Sequence, residues 1–387
     1  MAAHAKPPSS QLFQSPSEPF GPPPSNLNGA GAIGCYVGGR LAHAGQNVTL
    51  VGRPRVMDAL AVHGLTVTDL DGFKAHVEAA ALRLAPSLHE AALDGDAVIL
   101  LCVKGGATAA AALEIAQVCK PGTTVVSLQN GVDNVERIQA NAPQMQVLAG
   151  MVPYNVVMQG GHHVHRATTG SLQIGRRPDG LNALNAGNVN APGAGNANAP
   201  SANNLNAPSA LSAQIASRFN ASGLPAELSD DMRAVQWGKL LLNLNNPVNA
   251  LSDLPLQAQL QDRALRRVLA DLQSEALAVL ARAGISPAKV AAVAPRALPH
   301  LLRLPNWLFT RVAARMLRMD AKARSSMWAD LQQGRATEID DLCGAVVRLA
   351  RTHGARAPLN ARMCELVAQH KSGQRLSGPQ MRQALLK

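Results

Sequence analysis

Three groups of residues in this 387-residue chain have the types and spacing to do chemistry. In Trp237-Gly-Lys239-Leu-Leu-Leu-Asn243 a lysine stands one helical turn before an asparagine. A helix would carry both on one face while the leucines pack elsewhere. Such a pair can donate hydrogen bonds, and the ammonium a proton, to a carbonyl oxygen under reduction. Farther on, Ser326 and Glu338 stand 12 residues apart. On a straight helix that is about 18 Å along one side, unless a break near Gly334 brings them closer. Read without their context, Lys239 is a solvated lysine and Glu338 an ordinary surface carboxylate.

The third group is Gly29-Ala30-Gly31-Ala32-Ile33-Gly34, which fits GxGxxG and opens a helical stretch followed by an apolar run. Its chemistry belongs to the backbone. The first glycine permits a tight turn, the second lets a pyrophosphate reach the amides, and the third allows close helix–strand packing, with the phosphate on the helix N-terminus. After the second strand, where an NAD enzyme places a carboxylate on the ribose 2′-hydroxyl, stand Val51-Gly52-Arg53. A guanidinium there favours a 2′-phosphate, hence NADP.

Strand candidates at 47–51, 97–103, 123–128 and 146–150 alternate with Ala-rich helical segments such as 107–119. That alternation predicts an α/β Rossmann-type, doubly wound parallel sheet. A helix over 212–220 and a short edge strand over 225–228 complete a first domain at 28–230. The segment 178–210 repeats Asn-Ala-Pro in a field of Asn, Ala and Gly and reads as a low-complexity insertion. Apolar periodicity over 232–244, 256–283 and 321–353 predicts an all-α C-terminal domain at 231–371, followed by a loose tail at 372–387. Residues 1–27, rich in Pro and Ser, read as a disordered leader.

One feature opposes the fingerprint. It should follow a central apolar strand, yet Pro22-Pro-Pro-Ser-Asn-Leu-Asn28 precedes it. Proline lacks the ladder donor, and each missing buried side chain forgoes about 1.5–3 kcal/mol. Either a poor strand is held in place there, or the cofactor domain is damaged and the chain is a weakly active NADP-binding protein.

Composition narrows the alternatives. Aromatics are 3% of the chain and the net charge is +11. The basic residues are dispersed, and Arg-rich stretches such as 263–267 and 311–318 read as solvated faces rather than a nucleic-acid surface. Five scattered cysteines without CxxC spacing point to reduced thiols. His163 and His165 would share one face of a strand, but no cysteine or carboxylate cluster completes a metal site, and no metal is expected. No run reaches a membrane span and the first residues lack the order of a secretory signal, so a cytoplasmic protein without a membrane partner is expected.

Together the motifs resemble the 2-dehydropantoate 2-reductase (ketopantoate reductase) family: the glycine turn through Arg53, Val103-Lys104, Leu128-Gln-Asn130-Gly-Val132, Trp237 to Asn243, and Ser325 to Asp340. The resemblance runs from about residue 29 to 370. It implies NADPH-dependent reduction of the 2-keto group of ketopantoate to pantoate, on the way to pantothenate and coenzyme A, in a cleft between a Rossmann and a helical domain. By position Lys239 would be the general acid, and Glu338 would hold the reacting oxygen and Lys239. Asn243 and Ser326 would orient the small-molecule substrate, while Lys104 and Asn130 would approach the cofactor. A homodimer is compatible with the resemblance. Many members carry a second asparagine one turn after Asn243, where this chain has Pro247. Asn245, Asn246 and Asn249 stand nearby, and Asn246 is set among the substrate-binding residues. A reductase of another 2-keto acid is the alternative.

Overall fold

A computed structural model describes residues 25–93, 97–176, 210–290, 293–314, 317, 323–371 and 373–386. The expected leader up to residue 24 and the low-complexity insertion up to residue 209 lie outside the described residues. The strands are β1 (Ser25–Asn28), β2 (Val48–Val51), β3 (Leu65–Asp69), β4 (Lys74–Val77), β5 (Arg83–Ala85), β6 (Val98–Leu101), β7 (Thr124–Ser127), β8 (Gln146–Met151), β9 (Val156–Gln159), β10 (His163–Arg166), β11 (Leu172–Gly175) and β12 (Ala226–Ser229). Eight form one sheet in the order β12-β11-β8-β7-β6-β1-β2-β5. The run from β5 to β8 is parallel, and β11 turns antiparallel against β8.

Alternation along the strands explains the sheet's two buried faces. Val48, Leu50, Val98, Leu100, Val126 and Leu148 enter one core, while Val51, Ile99, Leu101, Val125 and Val147 enter the other. Helices α1 (Ala32–His43) and α5 (Ala210–Ala221) cover the first face, and α3 (Thr108–Val118) and α4 (Asn134–Asn141) cover the second. Helix α2 (Pro54–His63) follows β2. The remaining strands make a small sheet, β4-β3-β10-β9, packed on α1. The sequence reading missed it, although β3 carries a two-residue burial alternation.

The segment before Gly29 is a central strand after all. Ser25–Asn28 pairs in parallel with Val48–Val51 on one side and Val98–Leu101 on the other. The leader therefore does not extend to residue 27, and the first strand is present. Two physical reasons apply. The ladder takes four residues that begin after Pro24, so it asks no proline for an amide, and both flanking strands are buried throughout. They supply the apolar cover.

The second domain is helical: α6 (Met232–Asn243), α7 (Asn245–Ser252), α8 (Leu256–Gln261), α9 (Arg263–Arg282), α10 (Leu298–Arg303), α11 (Asn306–Val312), α12 (Ser326–Gln332), α13 (Ile339–Thr352), α14 (Pro358–Ala368) and α15 (Gly378–Leu385). The segment 256–283 is two helices rather than one. The Asp262 carboxylate accepts from the amides of Ala264 (2.7 Å) and Leu265 (3.1 Å), restarting the helix with a cap. The segment 321–353 is likewise broken, with Gly334 at φ +60° between α12 and α13.

Two further expectations fail. The tail is not loose, since α15 buries Met381 and Leu385 in the helical core and a Ser377/Gln380 capping box starts it. Nor is 263–267 wholly a solvated face. Arg266 is fully buried, lies 4.0 Å over the Phe309 ring, and donates to the carbonyls of Leu260, Leu302 and Leu304. On the small sheet His163 and His165 both hydrogen-bond the Thr68 hydroxyl, at 2.9 and 2.8 Å. Among the described residues no helix is long and apolar enough to cross a membrane.

Candidate active site

The strand order reverses at β1, with β2 on one side and β6 on the other, which is where open α/β sheets bind ligands. The glycine turn stands there. Gly29 has φ +106°, and a Cβ on it would lie 2.6 Å from the Val103 amide nitrogen. A Cβ on Gly34 would lie 2.3 Å from the Gly29 carbonyl oxygen. Gly31 differs, because its nearest neighbour would be 3.9 Å away. Gly29 and Gly34 thus shape the turn, whereas Gly31 leaves the approach to α1 clear. The first turn of α1 has neither an acidic residue nor a side-chain cap, so its outward amides suit an anion. The residues Gly29, Ala30, Gly31, Ala32, Ile33 and Gly34 therefore fit a nucleotide diphosphate. Arg53 is exposed at the end of β2, and Arg55 beside it is exposed too.

A narrow cleft lies between the ends of β7 and β8 and one face of α6. Gln129, Asn130, Gln236, Lys239 and Asn243 supply its polar lining, with Met151 and Val152 among the apolar part. The Lys239 ammonium donates to the Pro153 carbonyl at 3.1 Å. Burial brings its pKa down to about 8, which makes it a proton donor of suitable strength near neutral pH. A buried network behind the cleft fixes the turn at Asn130. Ser127 Oγ donates to Gln129 Oε1 (3.0 Å), Gln129 Nε2 donates to Thr108 Oγ1 (2.8 Å), Thr108 Oγ1 donates to Asn134 Oδ1 (3.1 Å), and Asn134 Nδ2 donates to the Asn130 carbonyl (2.7 Å).

Glu338 immediately precedes α13 and faces the same turn, where its Oε2 accepts from Asn130 Nδ2 at 3.3 Å. Burial raises its pKa; the Asn130 hydrogen bond and the Lys104 charge oppose the rise, and the nearby Asp341 and Asp330 carboxylates add to it. The partner of Glu338 here is Asn130, not Lys239 as the resemblance implied. Lys104 reaches across to the helical domain and pairs with Asp330 at 2.5 Å, a carboxylate that also takes Arg335 at 3.0 Å. Arg137 meets Asp341 at 2.6 Å beside Gly105. These pairs hold the two domains together along one side of the cleft.

Both domains match known proteins. Residues 27–179 match the family described as Ketopantoate reductase PanE/ApbA, and residues 231–371 match its C-terminal counterpart. The chain belongs to the ketopantoate reductase family. A 2-dehydropantoate 2-reductase of Halobacterium salinarum is 29% identical over 343 residues, covering 88% of this chain and 96% of that one. A PanE/ApbA family ketopantoate reductase from Ralstonia eutropha superimposes with a TM-score of 0.67 at 28% identity, covering 89% and 97% of the two chains. A D-mandelate dehydrogenase, solved with NADH and anilino(oxo)acetate, shares the fold at a TM-score of 0.67 and 21% identity, with the same coverage.

Set against the expected site of a ketopantoate reductase, the structure brings Asn130, Lys239, Asn243 and Glu338 together, while Ser326 and Asn246 stand apart from the cleft lining. Ser326 is exposed at the start of α12, where the capping is done by Ser325, whose Oγ accepts from the Trp328 amide at 3.2 Å. Of the nearby asparagines, Asn245 accepts from Gln259 and Asn249 from the Ser325 amide, each at 2.9 Å. Asn246 keeps its side chain free of such bonds among the described residues. Sequence reasoning missed Gln236, Arg55 and Asp330. Gln236 had a signal, since it precedes Lys239 by three residues and so shares its helix face.

Proposed function

We propose that this chain reduces 2-dehydropantoate to pantoate with NADPH, supplying the pathway to pantothenate and coenzyme A. The observation that carries the reading is Lys239: an ammonium with its pKa lowered to about 8, lining a cleft with Asn130 and Asn243 that Gln129 joins, through Val103, to the glycine turn. NADPH, when bound, supplies the hydride that the 2-keto carbon receives. Lys239 gives its proton to the oxygen that becomes the alkoxide, and its own charge stabilises that oxygen beforehand. Asn130 holds Glu338 at the rim, where the carboxyl can accept from a substrate hydroxyl or from the lysine once the substrate draws them together. Asn243 orients the substrate by hydrogen bonding. Arg53 and Arg55 favour the 2′-phosphate of NADPH over the bare ribose of NADH.

One observation favours a second reading, a reductase of another 2-keto acid. Pro247 is buried one turn after Asn243, where the family resemblance expects an amide that could bind substrate. Titrating the purified chain with NADPH by nucleotide fluorescence, then adding ketopantoate, tests both. Micromolar binding and rapid oxidation with pantoate as product are expected. Oxidation only by other 2-keto acids would favour the second reading, and absence of nucleotide binding would overturn both.

A further inference from the structure

Two amides bracket Lys239 on α6, and neither has a hydrogen-bond partner among the described residues. They are Gln236, three residues before it, and Asn243, four after it; all three line the cleft. Gln236 is the more telling, because it is only 9% exposed. Its stem is packed while its amide atoms are open to the cleft rather than sealed in the core, so a ligand there can engage both ends. Gln129, the other glutamine at this cleft, has both ends engaged. Its Oε1 accepts from Ser127, and its Nε2 donates to Thr108 and to the Val103 carbonyl.

The course of α6 says which ligand lies at each end. Met232 and Val235 belong to the core of the sheet domain, whereas Trp237, Leu240, Leu241 and Leu244 belong to the helical core. Gln236 thus sits at the crossing, on the side of the domain that carries the glycine turn, and Asn243 sits on the helical side. A glutamine offers one acceptor and two donors, so the group that satisfies both ends must itself both donate and accept. The carboxylate of a keto acid only accepts, and a substrate hydroxyl donates and accepts through a single atom rather than through two spaced as the glutamine's are. A carboxamide does both.

We propose that Gln236 reads the carboxamide of the nicotinamide ring, donating from Nε2 to its carbonyl and accepting at Oε1 from its amino group. Gln236 is thereby a residue that selects and orients the cofactor beside Lys239. This rests on the reading of the cleft as a nicotinamide site, and the test does not require the keto acid. Binding of NADPH and of its reduced 3-acetylpyridine analogue, which keeps the carbonyl and lacks the amino group, is measured by nucleotide fluorescence for the wild type, Gln236→Glu and Gln236→Leu. The wild type should prefer NADPH by about tenfold, one neutral hydrogen bond's worth. Gln236→Leu should bring the preference within about twofold, and Gln236→Glu should keep most of it through its acceptor. Circular dichroism on both variants identifies any that has failed to fold. Equal loss of both nucleotides in a folded variant, or an unchanged preference in Gln236→Leu, would overturn the assignment to the carboxamide. Failure of ketopantoate to oxidise bound NADPH would count against the proposed reaction while leaving this result to stand.

Discussion

The glycine turn and the Lys239 cleft lie close together and are made in opposite ways. The turn is built from missing side chains, and its geometry is set within six residues and the strands they touch, since Gly29 and Gly34 admit no Cβ and Gly31 leaves open space. The cleft is built from side chains delivered by separate elements, with Asn130 after β7, Lys239 on α6 and Glu338 before α13. The first therefore places a nucleotide by local backbone geometry. The second depends on the two domains staying in register, which is the work of pairs such as Lys104–Asp330 and Arg137–Asp341.

Substitutions can separate the two regions. The largest effect is expected from Lys239→Ala, which should lower kcat by about 10²–10⁴ and leave NADPH affinity within about twofold, as read by steady-state kinetics and fluorescence titration. Equal loss of both would mean that the cleft and turn are not separable. Gly34→Ala should do the reverse. The added Cβ meets the Gly29 carbonyl at 2.3 Å, so stability should fall by about 1–3 kcal/mol and nucleotide affinity should drop before any effect on chemistry in saturated enzyme. Arg53→Ala should weaken NADPH about tenfold and NADH hardly at all, because only the former carries the phosphate. Parallel losses would refute the 2′-phosphate reading. The smallest effect is expected from Asp330→Ala. Its partners Lys104 and Arg335 have side chains 50% and 42% exposed and regain water, so chemical denaturation should show a loss of about 1 kcal/mol.

The same contrast explains what was legible in the sequence. The parallel sheet, the turn and the helical second domain follow from periodicity and spacing, which are local. The sequence leaves β1 undecided between a poor strand and a missing one, because its fitness depends on the fully buried β2 and β6 flanking it, not on its own residues. The break at Asp262 depends on a side-chain cap that a run of apolar periodicity conceals. In the cleft, the shared face of Lys239 and Asn243 could be read from their spacing. The engagement of Glu338 by Asn130 could not, because it joins positions 208 residues apart. Ser326 shows the converse, a residue adjacent in sequence to a capping serine and exposed in the structure.

The central claim is that Lys239 is the proton donor of a nicotinamide-dependent reduction, and its lowered pKa gives that claim a direct test. Burial disfavours the ammonium, so the proton is present below about pH 8 and lost above it. Single-turnover oxidation of bound NADPH by ketopantoate should therefore be level below that pH and fall about tenfold per pH unit above it, and the residual rate of Lys239→Ala should lack the bend. A wild-type rate that stays level up to the ordinary lysine value of 10.5, or a bend that survives in Lys239→Ala, would contradict the assignment.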